Sequence, residues 1–143
     1  MDNKIPSALF SLALVTTLLL TGCQAPLPSS LSDEQVVQVV DSILKAFNAG
    51  DFVAATQSMS DEMKKDFTEV QFVNMAAFIK ETSGNYVSCT APLELSNNAS
   101  YAVYRLPCSF ETGIVTVSVA FFIASSQVEG LYFDSATLRT PTP

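Results

Sequence analysis

The chain contains no histidine and no tryptophan. Without imidazole there is no Ser-His-Asp or Cys-His nucleophile relay and no His-ligated zinc. Without indole, a sugar-stacking platform is disfavoured. Basic residues are scarce: 7 Lys and Arg stand against 14 Asp and Glu in 143 residues, a net charge of −7. No basic patch forms, so neither nucleic acid nor an anionic headgroup is attracted. The 5 glycines make no phosphate-cradling loop, and the 3 cysteines show neither CxxC nor metal-type spacing. No cofactor or metal is expected. One apolar run, Ala8 to Leu20, is interrupted only by Ser11, Thr16 and Thr17. It falls short of the roughly 20 apolar residues that span a bilayer.

That run has the layout of a secretory signal, with Lys4 in a basic n-region weakened by Asp2 and an apolar h-region behind it. It ends in Leu20-Thr21-Gly22-Cys23, which resembles the lipobox of prokaryotic lipoproteins. The resemblance implies removal of residues 1–22 and lipidation of Cys23, which becomes the first residue of the mature chain. A single acyl chain holds only marginally, whereas two or three on one residue make a durable anchor. Gln24 follows, so the aspartate that retains many lipoproteins in an inner membrane is absent. The expected location is extracytoplasmic, on the outer membrane if the cell has one. Residues 23–31, with two prolines and two serines, read as the lipidated Cys and a flexible tether.

Residues 32–140 are expected to form a single α+β cone-like domain. Ser32-Asp33-Glu34-Gln35 fits a capping box, and Val36, Val40, Ile43 and Phe47 share one face of the helix it opens. Gly50 stops that helix. Phe52 to Met59 and Ser60 to Phe67 read as short helices. Thr68-Glu69-Val70-Gln71 caps a longer one, with Val70, Val73 and Ala77 on one line, Phe72, Met75, Phe78 and Ile79 on the next, and Gly84 at its end. The period then changes. Tyr86 to Leu95, Tyr101 to Phe110, Ile114 to Ile123 and Leu131 to Leu138 read as strands, separated by turns at 96–99, 111–113 and 125–130. In the third strand Val115, Val117, Val119, Phe121 and Ile123 make an apolar face, opposite Thr116, Ser118 and Ala120. Helices followed by short-linked strands predict N-terminal helices packed on a curved four-stranded antiparallel sheet.

The run Ala46-Phe47-Asn48-Ala49-Gly50-Asp51-Phe52, the Met/Ser/Asp-rich short helix and the Thr68 helix together are similar to a domain of unknown function in bacterial and archaeal envelope proteins. That domain occurs alone on lipoproteins and ahead of α/β-hydrolases. It belongs to the nuclear-transport-factor-like, or cystatin-like α+β cone, superfamily. The resemblance covers Ser32 to Leu138. The resemblance implies that catalytic residues, where present, are usually a His–Asp pair, which a chain without histidine cannot supply, so no catalytic residue is carried over.

Cys89 and Cys108 lie on the first two predicted strands, symmetric about Asn98-Ala99. In a hairpin of that register they face each other, within disulfide reach and in a compartment that permits the bond. A disulfide is expected, the alternative being two buried free thiols. Tyr104, Phe122, Tyr132, Phe133 and Asp134 are the candidate ligand-binding residues, drawn from the strands that would line a cone mouth. These features favour a lipid-anchored, non-enzymatic envelope domain that binds a small apolar ligand or a protein partner. Two alternatives stand beside it. One is an isomerase or hydrolase using Asp134 or Glu94 as acid/base, with Glu111 and Arg105 as further charged strand or turn residues. The other is a homodimer formed through the Thr116, Ser118, Ala120 and Phe122 face.

Overall fold

The computed structural model describes residues 31–136. The expected leader 1–22, Cys23, the expected tether up to Ser30 and the end of the last predicted strand lie outside them. Four helices come first: α1 (Asp33–Ala49), α2 (Phe52–Thr56), α3 (Asp61–Asp66) and α4 (Glu69–Ser83). Five strands follow: β1 (Tyr86–Cys89), β2 (Leu93–Asn97), β3 (Tyr101–Phe110), β4 (Gly113–Phe122) and β5 (Gln127–Asp134). The fold is α+β, with the helices ahead of an antiparallel sheet.

Local chemistry explains the helix ends. The Ser32 side chain accepts from the Gln35 N–H at 3.3 Å while Gln35 accepts from the Ser32 N–H at 2.9 Å, a reciprocal capping box. Thr68 and Gln71 repeat it on α4. Gly50 adopts φ 69°, where a side chain would be strained, and lets α1 turn directly into α2, which Asp51 caps through the Ala54 N–H at 3.0 Å. Val36, Val40, Ile43 and Phe47 are all buried, as their spacing predicts. On α4 the Phe72–Ile79 side is buried, and the Val70 and Val73 line faces solvent.

The sheet runs β1-β3-β4-β5, and β2 pairs with the same edge of β3 as β1 does. The single strand expected over 86–95 is therefore one strand broken at 90–92. Proline accounts for the break. The Pro107 carbonyl accepts from the Thr90 N–H at 3.0 Å, so Pro107 turns its backbone groups to this edge, where it has no N–H to return. With Pro92 also lacking a donor, the ladder lapses for three residues and resumes at Leu93. The last strand begins earlier than expected, at Gln127 rather than Leu131, because Gly130 lies within the ladder opposite Ala120 instead of in a turn. Glu129 bulges between the Gly130 and Val128 pairings, and Ser126 at φ 57° closes the tight turn before β5.

Cys89 and Cys108 form a disulfide with Cα atoms 4.0 Å apart. The pair is the expected one, yet the register that produces it is not a simple hairpin. Pairing starts with Asn97 opposite Ala102, which continued unbroken would set Cys89 opposite Phe110. A shift between Glu94 and Ser96 and the lapse at 90–92 bring Cys89 opposite Cys108 instead.

Candidate functional site: the outer face of the sheet

Residues on β3 and β4 alternate strictly. Ala102, Tyr104, Leu106, Cys108 and Phe110 of β3 and Val115, Val117, Val119 and Phe121 of β4 are all buried on the inner face. The helices fill that face. Phe47 sits at its centre with ring centroids 4.8 Å from Phe72, 5.8 Å from Phe133 and 6.5 Å from Phe67, and Phe52 closes on Phe72 at 5.7 Å. The void between Leu44, Phe47, Ile79 and Phe110 is about 10 Å³, room for at most one water.

The other face carries cross-strand rows: Val103–Ala120–Gly130, Arg105–Ser118–Tyr132, Pro107–Thr116–Asp134 and Tyr101–Phe122–Gln127. The first three give a central lane of small residues, Thr116, Ser118 and Ala120, with Gly130 alongside. An exposed Arg105 and an exposed Tyr132 stand across the lane from each other. No helix among the described residues covers this face.

The sheet separates the five candidate ligand-binding residues into two sets. Tyr104 is fully buried on the inner face, donating its hydroxyl to the Leu31 carbonyl at 3.2 Å and packing its ring 5.9 Å from Phe121. Phe133 is also inward, against Phe47. Phe122, Tyr132 and Asp134 belong to the outer face. Each set shares a face, but no cavity brings all five together. Glu94 is exposed on the edge strand β2, away from Asp134 on β5. Glu111 is held by Asn85, whose backbone N–H donates at 2.9 Å and whose side-chain amide donates at 3.0 Å. Those two bonds lower its pKa. A Cβ on Gly84, at φ 75°, would come within 2.7 Å of the Glu111 side chain, so this junction requires glycine.

A second concavity was not legible in the sequence. A groove of about 530 Å³ opens between the first half of α1 and the broken strand, with Asp33, Glu34, Val37 and Asp41 on one wall and Ala91 and Pro92 on the other. It lies where the ladder lapses, beside Pro92. Asp41 on its wall is already engaged, by Lys45 at 2.7 Å and by the Tyr86 hydroxyl at 2.9 Å. Partial burial opposes its charge, but the two hydrogen bonds prevail and its pKa is lowered. Tyr86 is raised by burial first and then by the Asp41 carboxylate.

The run Ala46 to Phe52 now has a physical account. Phe47 and Phe52 build the aromatic core, Gly50 makes the left-handed turn and Asp51 caps α2. Asn48 reaches the edge strand, where its amide donates to the Tyr86 carbonyl and its oxygen accepts from the Tyr86 N–H, each at 2.9 Å. The side chain thus stands in for a neighbouring strand.

No curated protein matches the chain. A family model described as a protein of unknown function (DUF3887) matches residues 40–131, well over half the chain, from within α1 to within β5 and including the Ala46–Phe52 run. The chain belongs to this family, DUF3887.

Proposed function

We propose that the protein is a lipid-anchored, extracytoplasmic interaction domain of the nuclear-transport-factor-like cone type. In this reading it is non-enzymatic and docks an envelope protein on the outer face of its sheet. One observation carries the reading: the helix-covered face of the sheet is filled by packed aromatic rings, while among the described residues no helix covers the opposite face, whose central lane is of small side chains. A small apolar ligand would need an apolar cavity of several hundred Å³; the void under the helices is far smaller, and the larger groove beside α1 is walled by the acids Asp33, Glu34 and Asp41. A lane of small residues rimmed by a tyrosine and an arginine suits a protein surface, since these two residue types are enriched at interface hot spots. The anchor is supported by Leu20-Thr21-Gly22-Cys23 behind an apolar run. The superfamily assignment is supported by helices laid across a single antiparallel sheet.

The test is photocrosslinking in the producing cell, with benzoylphenylalanine at Tyr132 and, as a control, at Val53 on α2. An adduct of discrete mass at Tyr132 that is absent at Val53 and lost in Ala120→Arg is the expected result. Equal labelling at both positions, or an adduct indifferent to Ala120→Arg, would overturn the proposal. An adduct with twice the chain mass would instead make the occupant a second copy.

A further inference from the structure

The anchor reading leaves open which part of the domain meets the membrane, and the structure speaks to this. Leu31, where the tether joins the domain, is held by the Tyr104 hydroxyl. From there α1 runs beside Ala91 and Pro92 to reach Tyr86, opposite Phe110, through Asn48. The chain therefore enters at the end of the sheet that holds the β2–β3 and β4–β5 turns. Seven residues, 24–30, separate Cys23 from Leu31, a reach of at most about 28 Å when fully extended.

The sheet's own turns at this end are uncharged, while the helices bring exposed acids to it: Asp33 and Glu34 at the start of α1, and Asp61 and Glu62 next to Ser60, which bonds Val128. In a chain with 7 basic and 14 acidic residues, none is charged from Leu95 to Tyr104 or from Gly113 to Val128. Both turns at the tether end fall in these two stretches. The turns carry uncharged polar side chains such as Asn98, Ser100, Ser125 and Ser126, and the strand ends beside them expose apolar and aromatic ones: Leu95 is 44% exposed and Tyr101 42% exposed, with the Tyr101 ring 5.5 Å from Phe122, and Leu93 is 62% exposed. The opposite end carries Glu111 in the β3–β4 turn, and Lys80 and Glu81 late in α4. Aromatic rings favour the headgroup level of a bilayer.

We infer that the β2–β3 and β4–β5 turn end, with Leu95, Tyr101 and Phe122, lies against the bilayer surface when Cys23 carries its lipid; this rests on the anchor reading above. The sheet would then stand on its end, and its outer face would remain open to a protein approaching from the side.

Because the chain has no tryptophan, single reporters can be placed without background. Leu95→Trp, Tyr101→Trp and, at the far end, Ile114→Trp would each be made in the full chain and expressed in a bacterial host. The membrane form of each would be reconstituted in phosphatidylcholine vesicles containing brominated phosphatidylcholine. All three positions are substantially exposed, and circular dichroism checks that each variant is folded. Quenching several-fold stronger at 95 and 101 than at 114 is the expected result. If mass analysis finds the lipid on Cys23 but the three reporters are quenched alike, the orientation is wrong and the anchor stands. If Cys23 carries no lipid, both fall. A blue-shifted emission at 95 and 101 that brominated lipid does not quench would give this end to a protein contact, and would also overturn the orientation.

Discussion

Asn48, Asp41 and Tyr86 form a small network whose response to pH follows from its geometry. The Tyr86 phenol is held protonated by burial and by the Asp41 carboxylate, so its pKa is raised. A group raised on folding stabilises the native state below its ordinary pKa, about 10 for tyrosine. That contribution is lost as pH climbs further, because the unfolded chain ionises first. Asp41 has the opposite sense: its lowered pKa stabilises the fold above the usual carboxylate range and fades as pH falls through it. Tyr86→Phe is expected to cost about 1 kcal/mol at pH 7, the ordinary value of a lost hydrogen bond. It should also flatten the decline in stability between pH 9 and pH 11. Urea melts across that range, compared with the parent chain, check both expectations. A parallel decline in the two proteins would place the alkaline sensitivity elsewhere.

At the scale of elements, the disulfide closes the strand pair just where its ladder lapses. Cys89 is the last residue of β1, and the bond to Cys108 spans a sequence separation of 19. Loop closure of that size is worth roughly 3 kcal/mol. Cys89→Ala with Cys108→Ala is therefore expected to lose about 3 kcal/mol. The loss of hydrogen-exchange protection should concentrate in β1 and β2 while α1 and β4 retain theirs. Much at this scale was readable in the sequence. Both capping boxes, Gly50, the apolar face of α1 and the alternation of β4 are local signals, carried by neighbours in the chain. The misread features depend on partners far away. Nothing near Thr90 says that a proline 17 residues later, across the ladder, will interrupt the strand. Gly130 reads as a turn residue until Ala120 is placed opposite it. The candidate site was half legible for the same reason: alternation gives the two faces of β4, but it does not say that aromatic rings from the helices fill one of them.

For the whole molecule the decisive feature is a single core. Side chains from α1, α4 and all of β3, β4 and β5 meet in one buried cluster, with Phe72 1% exposed at the meeting point of Phe47, Phe52 and Phe67. One core implies one cooperative unit. Phe72→Ala, which would leave a void under all three rings, is expected to cost about 3–5 kcal/mol. The near- and far-ultraviolet circular dichroism transitions of the variant should fall together. Separated transitions would mean that the helices and the sheet melt independently.

The edges of the sheet carry one last consequence. On one side, Asn48 occupies both backbone groups of Tyr86 in β1. On the other, the Val128 N–H and carbonyl of β5 are taken by Ser58 and Ser60 at 2.8 and 3.0 Å. Among the described residues β1, β2 and β5 each have an outer edge with no further strand, and these contacts occupy β1 at Tyr86 and β5 at Val128. Fibre growth needs each subunit to accept a strand on one side and offer one on the other. A strand from a neighbour adding along β1 or β5 would have to displace these contacts. Asn48 and the Ser58–Ser60 backbone thus act as stoppers, one at each rim of the sheet.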